Sequence, residues 1–469
     1  MKRITLFAVA AIMFTSGCRK IEVDGTPSNN NNNTNQTTEN VILEGRISAN
    51  RTLKADYVYK LRGLVYVTNG AVLTIEPGTK IVGELGRNGG LIITRSCKII
   101  ADGTPEKPIV FTSEASTPTR GDWAGLVILG NAPTNSSFNG VSGIGEIEGG
   151  INNSDGLGLY GTPSTQAQNP ADNSGILRYV RIEYAGYAFL PDKEINGLTF
   201  GGVGNQTTVD YVQVAYANDD SFEWFGGTVN CKHIIAYKGL DDDFDTDNGF
   251  SGKVQFAIGF RDSSVADISG SNGFESDNDA SGSTNAPQTS ATFSNVTLVG
   301  PRATLTNVGN SNYKRGIHAR RNSAISVFNS IVMGWPTGWL VDASTGTPTD
   351  LNLVGASPKA IYASNIIAGN NTQLNYTVSG SASTGWSKDT LISYMANKAN
   401  TLLTNNSDVQ LMDPFKYDNS VDFNPASMSP ALTGSDFTHT KLASWFTATS
   451  YRGACANGDA WWTIWTSFR

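Results

Sequence analysis

Five short segments of the chain align when they are written in rows: SFEWFGG (221–227), DFDTDNG (243–249), GFESDND (273–279), GIHARRN (316–322) and GWLVDAS (338–344). The third position of each row holds Glu223, Asp245, Glu275, His318 and Leu340. The first and last of the four intervals are equal, and the two between them are longer. A repeat of about 22 residues, lengthened in some rows by loop insertions, is typical of a coiled parallel solenoid with two or three short strands per turn. We therefore predict an all-β fold, a right-handed parallel β-helix.

A second family of strands supports the same repeat: YVRIEYA (179–185), YVQVAYA (211–217), KHIIAYK (232–238) and VQFAIGF (254–260). Its alanines Ala215, Ala236 and Ala257 follow each other at equal intervals, close to the repeat of the first family. In the first family, alternate side chains share a face of the strand. This alternation predicts an inward apolar column made of Phe222, Phe244, Phe274, Ile317 and Trp339.

Composition agrees with a turn-rich β protein. The chain has 469 residues, of which 39% are hydrophobic. Its 50 glycines are a larger fraction of the chain than the usual glycine content of about 7%. This hydrophobic content excludes general disorder, and the glycines show no triplet period of the collagen type. The net charge is −7 with no long basic run, so we expect no nucleic-acid partner. We also find no loop that would bind a nucleotide.

The N-terminus predicts export and a lipid anchor. A cationic start, Met1-Lys2-Arg3, precedes an apolar run from Ile4 to Phe14, and Cys18 follows Ser16-Gly17. This order predicts a signal peptide over 1–17, too short to span a membrane, and it resembles a bacterial lipobox with a lipidated Cys18. The Asn/Thr-rich stretch up to residue 40 fits a tether. We expect the outer membrane or the cell surface, with the membrane as a partner through the lipid.

Mass spectrometry tests the anchor directly. The mature chain is expected to begin at a lipidated Cys18, and Cys18→Ala is expected to release a protein that no longer partitions with membranes, because the acyl chains provide the attachment. An unmodified Cys18, or a mature N-terminus further along the chain, would contradict the prediction.

The body is expected to span 41–385, with insertions at 131–175 and 262–292, and to be followed by a capping segment over 386–469. Within that segment, residues 388–404 form the one good helix candidate. The Trp-rich tail (Trp445, Trp461, Trp462 and Trp465) is expected to cover the open end of the solenoid, with a ligand platform as the alternative. The export signal permits one disulfide among Cys97, Cys231 and Cys455.

Several longer segments resemble a known family. They include NGAVLTIEPGTKIVGE (69–84), RGDWAGLVILG (120–130), DDSFEWFGGTVN (219–230), DDDFDTDNGFSGKVQFA (241–257) and DAWWTIWTSF (459–468). Together they resemble a family of Bacteroidetes β-helix lipoproteins with a pectate-lyase-like fold, mostly without an assigned activity. The resemblance covers nearly the whole chain after the tether. It implies an envelope location and supplies no catalytic residues.

The aligned rows also place acidic side chains together. If Phe244 and Thr246 point inward, their neighbours point outward, and the next row repeats the pattern about 4.8 Å away. Close carboxylates need a neutralising partner, and Ca²⁺ takes 6–8 oxygen ligands. The predicted metal ligands are Asp243, Asp245, Asp247, Glu275, Asp277 and Asp279. Asp241 and Asp242, which precede the strand, are possible further ligands.

Two alternatives to calcium stay open at this stage. The alignment puts His318 beside Glu275 and Arg320 beside Asp277, which predicts an ion-pair ladder between rungs without any ligand. A catalytic site is the other alternative, with His318, Arg320 and Glu223 as candidate residues.

Two functions follow from these patterns. The first is a cell-envelope lipoprotein that binds a glycan or an envelope protein, or has a structural role, stabilised by Ca²⁺. The second, by analogy of fold, is a polysaccharide lyase or glycoside hydrolase that acts on an acidic polysaccharide. Incubation with acidic polysaccharides separates them, because a lyase forms an unsaturated product that absorbs ultraviolet light.

Overall fold

The computed structural model describes residues 40–190, 193–307, 309–379 and 385–468. The predicted signal peptide, Cys18 and the tether up to residue 39 lie outside the described residues, so their predictions remain untested. Within the described ranges, no helix is long and apolar enough to cross a membrane.

Twenty-six strands form one continuous sheet. They are β1 (Asn40–Ile47), β2 (Arg51–Leu53), β3 (Val58–Val67), β4 (Val72–Ile75), β5 (Lys80–Gly83), β6 (Gly90–Ile93), β7 (Lys98–Asp102), β8 (Ile109–Ser113), β9 (Gly125–Leu129), β14 (Gly175–Glu183), β17 (Leu198–Gly201), β18 (Thr208–Ala215), β19 (Phe222–Phe225), β20 (Asn230–Tyr237), β21 (Phe244–Asp247), β22 (Lys253–Phe260), β23 (Asn272–Ser276), β24 (Thr292–Val299), β25 (Arg315–Ala319), β26 (Ser326–Phe328), β27 (Ile331–Met333), β28 (Thr337–Ala343), β29 (Tyr362–Ala363), β30 (Ile366–Ala368), β31 (Thr372–Val378) and β32 (Thr401–Leu403).

Four antiparallel pairs and a few helices complete the secondary structure. The paired strands are β10 (Ser137–Phe138) with β11 (Val141–Ser142), β12 (Ile144–Glu146) with β13 (Leu159–Gly161), β15 (Ala188–Leu190) with β16 (Lys193–Glu194), and β33 (Leu411–Asp413) with β34 (Asp422–Pro425). The helices are α1 (Lys388–Asn397) and the short 3₁₀ turns Thr349–Leu353, Asn406–Val409, Pro430–Leu432 and Thr440–Leu442.

The predicted right-handed parallel β-helix is confirmed. Each strand of the large sheet pairs in parallel with the strand one turn later, as β19 does with β21 and β21 with β23. The long strands β18, β20 and β22 bend where Tyr211, His233 and Phe256 adopt left-handed φ angles of 56°, 47° and 60°. One strand therefore contributes to two faces of the turn.

The inward apolar column is confirmed as well. Pairing aligns Phe222 with Phe244, Phe244 with Phe274, Phe274 with Ile317, and Ile317 with Trp339. All five side chains are fully buried, and the ring centroids of Phe222 and Phe244 lie 5.6 Å apart. Burial of these side chains stabilises the fold because it removes a continuous apolar stack from water.

The equal spacing of the alanines in the second strand family does not give the register of these strands. Ala215 pairs with Tyr237 and Ala236 pairs with Gly259, so the partner of each alanine lies beyond the next alanine of the series. Small side chains tolerate many neighbours, and a run of alanines therefore does not fix the register.

Two boundaries also differ from the prediction. The predicted insertion 262–292 contains β23, which belongs to a rung, so the extra residues lie on both sides of that strand. The helix ends at Asn397 instead of residue 404, because Thr401–Leu403 forms β32 and pairs with β30. The β-helix therefore extends past residue 385.

The tail does not cap the end of the solenoid as predicted. Trp462 and Trp465 pack with Ala215, Ile235 and Ile258 against the outer side of successive strands. The last rung is covered by α1 instead, whose Leu391 and Met395 join the central core. The core side chains of α1 replace the water that the final rung would otherwise face. Cys97, Cys231 and Cys455 are buried, and the described residues form no disulfide.

Candidate functional site

The predicted ion-pair ladder is present on the outer face of β23, β25 and β28. Arg320 binds Asp277 through two parallel contacts, Nε to Oδ1 at 2.8 Å and a terminal nitrogen to Oδ2 at 3.0 Å. Arg320 also contacts Glu275, and Arg321 donates to Asp277 at 2.8 Å. Asp277 therefore already has two guanidinium partners, and this arrangement neutralises it without a metal.

His318 extends this ladder between two carboxylates. Its Nδ1 lies 3.4 Å from Glu275, and its Nε2 lies 3.4 Å from Asp342 on the next strand. Burial raises the pKa of Glu275, but the hydrogen bond with His318 and the charge of Arg320 outweigh burial and leave that pKa below its ordinary value. Glu275 is therefore ionised and partnered at neutral pH.

Asp243 does not lie on the outer face, in contrast to the prediction. Its carboxylate and the guanidinium of Arg261 are both 0% exposed and form an ion pair at 2.8 Å inside the β-helix. Tyr313 packs over the guanidinium at 5.3 Å. Asp243 immediately precedes β21, where the chain is still turning, so strand alternation does not govern its direction. It is a core ion pair and is unavailable to a ligand.

Asp279 and Asp247 also have local roles. Asp279 lies in a turn, where its carboxylate accepts hydrogen bonds from Ser281 and Ser283. Asp247 accepts from the backbone of Asn248. Burial and the charge of Asp277 raise the pKa of Asp247 to about 8. Of the six predicted metal ligands, the structure brings Asp245 and Glu275 into a common pocket and leaves the others outside it.

That pocket is centred on β19 and β21, one rung before the metal site predicted on β21 and β23. It has a volume of about 530 Å³ and contains one guanidinium, that of Arg320. We call it the acidic pocket, and ten carboxylates line it: Glu148, Glu194, Asp219, Asp220, Glu223, Asp241, Asp242, Asp245, Asp267 and Glu275.

Neighbouring rungs bring the central carboxylates together. Glu223 and Asp245 are directly paired on β19 and β21, and Asp220 lies in the turn before β19. One carboxylate oxygen from each of these three residues lies within 4.8 Å of the other two. Three carboxylate oxygens at this separation match the ligand type and the spacing that a hard divalent cation requires.

Oxygen atoms without donors point to the same place. Oδ1 of Asn196 and Oδ1 of Asp245 are buried and accept no hydrogen bond from any described residue. Asn196 is 1% exposed and is held by its amide nitrogen, which donates to Glu223 and, at 3.2 Å, to Glu148. A buried acceptor without a donor carries an uncompensated desolvation cost, and a bound cation would compensate it.

The electrostatics of the pocket follow from this crowding. Burial raises the pKa of Glu223 well above its ordinary value, and the charges of Glu148 and Asp245 raise it further. Burial likewise raises the pKa of Asp245, with further contributions from Glu275 and Asp242. Each carboxylate makes ionisation of its neighbours more costly, so the group favours either protons or a metal cation.

The candidate catalytic residues divide between the two clusters. His318 and Arg320 belong to the ion-pair ladder. The guanidinium of Arg320 forms ion pairs with both Asp277 and Glu275. Glu223 lies in the acidic pocket, where it is 6% exposed. The arrangement can bind a cation, and the two basic candidates, His318 and Arg320, already have carboxylate partners.

Sequence reasoning missed most of the acidic pocket. A usable signal exists, because the pairs Asp219-Asp220 and Asp241-Asp242 precede two aligned strands at the same position of the repeat. No comparable signal marks Glu148, Glu194 and Asp267. These three residues lie in loops or short hairpins outside the repeated rungs.

A known protein family matches most of the chain. Residues 45–410 match a family model described as the pectate-lyase like beta helix domain. A comparison with curated proteins finds no match. The matched range covers well over half of the chain and coincides with the β-helix from β1 to the segment after β32. The chain therefore belongs to the pectate-lyase like β-helix family.

Proposed function

We propose that this chain is a lipid-anchored protein of the cell envelope that binds a divalent cation, calcium, in the acidic pocket and uses it to bind an acidic polysaccharide. The observation that carries the proposal is the convergence of Asp220, Glu223 and Asp245, together with two buried oxygen acceptors that lack donors. Membership of a pectate-lyase like family supports the polysaccharide, and the predicted lipidation of Cys18 supports the location.

The ligand set favours calcium over smaller or softer metals. It contains carboxylate and amide oxygens, and no described histidine or cysteine lines the pocket. Calcium accepts 6–8 oxygen ligands in flexible geometry, and three carboxylates with Asn196 leave further positions for the carboxylates of a polysaccharide. Calcium would thereby join two anionic partners that otherwise repel each other.

Thermal unfolding tests the cation. Added Ca²⁺ is expected to raise the melting temperature, with a stabilisation of about 2.7 kcal/mol when calcium is at 100 times its Kd, because it binds the folded state alone. Asp245→Asn is expected to remove most of this response. Asp279→Asn makes the same chemical change outside the acidic pocket and is expected to leave the response intact. No calcium effect on the unmodified protein would contradict the proposal.

The same measurement has an expected pH dependence. Burial raises the pKa of Glu223, Asp241 and Asp245, so in chelator these carboxyls bind protons more tightly in the folded state than in the unfolded state. Stability is therefore expected to fall as pH rises. The fall begins at about 4, the ordinary value for aspartate, and continues through about 6, the pKa of Asp241 in the folded state. Calcium is expected to reduce this slope, since it replaces the protons. A slope of the opposite sign would show that the pKa values are not raised.

Binding and catalysis are separated by assays on polygalacturonate. The calcium-loaded protein is expected to bind this anionic polymer and to release it when a chelator is added. Formation of an unsaturated product that absorbs ultraviolet light would support the lyase alternative. Arg320→Met then tests the candidate catalytic side chain, and loss of that product without loss of polymer binding would place Arg320 in the reaction.

A further inference from the structure

A second group of carboxylates adjoins the one assigned to the cation. Oxygens of Asp219, Asp220 and Asp241 also lie within 4.8 Å of one another, so the two groups share Asp220. Asp219 and Asp220 lie in the turn before β19, and Asp241 lies in the equivalent turn before β21. The shared residue places the two groups side by side along one edge of the stacked strands.

We propose that the acidic pocket holds two divalent cations, with the carboxylate of Asp220 bridging them. The second position is formed by Asp219, Asp220 and Asp241, and this inference rests on the proposed binding of the first cation. A bridging carboxylate needs one oxygen for each ion. Oδ2 of Asp220 accepts no hydrogen bond from any described residue, while Oδ1 accepts a single one, from the backbone of Asp242 at 2.8 Å.

Burial also supports the second position. Asp220 is 8% exposed, so its carboxylate is largely enclosed by protein where it lines the pocket. Oδ1 of Asp241 is buried and likewise accepts no hydrogen bond from the described chain. Asp241 belongs to the second group alone, whereas Asn196 and Asp245 lie at the first. Each position therefore has its own uncompensated oxygens.

Charge leads to the same number of ions. The two groups together contain five carboxylates, Asp219, Asp220, Glu223, Asp241 and Asp245. One divalent cation would leave three of the five negative charges without compensation in a partly enclosed pocket. Two cations compensate four of them, and each carboxylate then lies beside a positive charge.

The second position is also connected to the segment 262–271. The hydroxyl of Ser269 donates to Oδ2 of Asp241 at 2.9 Å, and the backbone of Asp267 donates to the carbonyl oxygen of Leu240 at 3.1 Å. The first position instead uses Glu223 and Asp245, which lie within strands. A cation in the second position is therefore expected to slow hydrogen exchange in 262–271, because it fixes Asp241, which accepts the hydrogen bond from Ser269 and follows Leu240 in the chain.

Calcium stoichiometry decides the question. Equilibrium dialysis of the full mature chain against ⁴⁵Ca²⁺ is expected to give two ions per chain. The double variant Asp219→Asn/Asp241→Asn is expected to retain one ion. In this variant, a second equivalent of calcium is expected no longer to slow hydrogen exchange in 262–271. Glu223→Gln is expected to weaken the first position while the protection of 262–271 persists. Asp413→Asn, an exposed carboxylate outside the pocket, is the matched control and is expected to retain two ions.

Each result has a definite meaning. One ion per unmodified chain would overturn the second position and leave the proposed function intact, whereas no bound ion would overturn both. Two ions in the Asp219→Asn/Asp241→Asn variant would show that the second ion lies elsewhere. Circular dichroism of every variant, with a cooperative melt, confirms that a lost ion is not the result of unfolding.

Discussion

Replacing Phe244 with alanine is expected to lower the free energy of unfolding by about 3–5 kcal/mol, because the change truncates a fully buried aromatic side chain. Phe244 stacks between Phe222 and Phe274 at centroid distances of 5.6 and 5.4 Å. The cavity would interrupt the inward column in the middle of the body, where the strands on both sides have little freedom to collapse into it.

Urea unfolding followed by tryptophan fluorescence measures this loss. Phe138→Ala makes the same truncation at a half-buried position in the β10–β11 hairpin, outside the stacked rungs. Its expected cost is smaller, since less apolar surface is lost there. Equal costs for the two variants would mean that the inward column contributes no more than a peripheral contact. Phe244→Leu is expected to recover part of the stability, because it keeps most of the apolar volume.

Arg261→Met is expected to destabilise the protein by about 3–5 kcal/mol, because it leaves the carboxylate of Asp243 buried without its partner. The guanidinium also donates to the carbonyl oxygens of Leu240 and Asp241. These two bonds hold the turn that carries Asp241 and Asp242 into the acidic pocket. A loss of calcium affinity is therefore expected to accompany the loss of stability.

The double variant Arg261→Met/Asp243→Asn distinguishes an unpaired charge from lost packing. It removes the uncompensated carboxylate, so it is expected to be more stable than Arg261→Met alone. Arg178→Met is the matched control, because the Arg178–Asp102 pair is 40% exposed on each side. Its expected cost is below about 1 kcal/mol. A similar loss of stability in Arg178→Met and Arg261→Met would contradict the expectation that breaking the buried Arg261–Asp243 pair costs more than breaking an exposed one.

Sequence periodicity predicted the fold where large side chains repeat. Phe222, Phe244 and Phe274 identify the register because a bulky ring in each row excludes other alignments. The alanine spacing did not give the register, because paired positions are further apart than these alanines and because the repeat is not constant. The interval from Cys231 to its partner Val254 is one position longer than the interval that precedes it. Such a change defeats an alignment based on small side chains.

The candidate site was predictable only in part, for a different physical reason. Parallel pairing correctly placed Glu275 beside His318, because both residues lie within strands. The centre of the acidic pocket depends on turns, where Asp220 and Asp241 are positioned by loop geometry. Periodicity describes strands and carries no information about how an insertion returns to the body, so Glu148 and Asp267 could not be located.

The C-terminal tail changes how the whole body should unfold. A solenoid whose turns contact only their neighbours can lose its end turns one at a time. Here the tail forms hydrogen bonds with Arg181, Gln213, Gln255, Asn295 and Asn329, which belong to five different turns. Because one segment spans them all, opening any of these turns disturbs contacts shared with the others. The tail therefore converts a stepwise array into a cooperative unit, and its removal should divide a single unfolding transition into several.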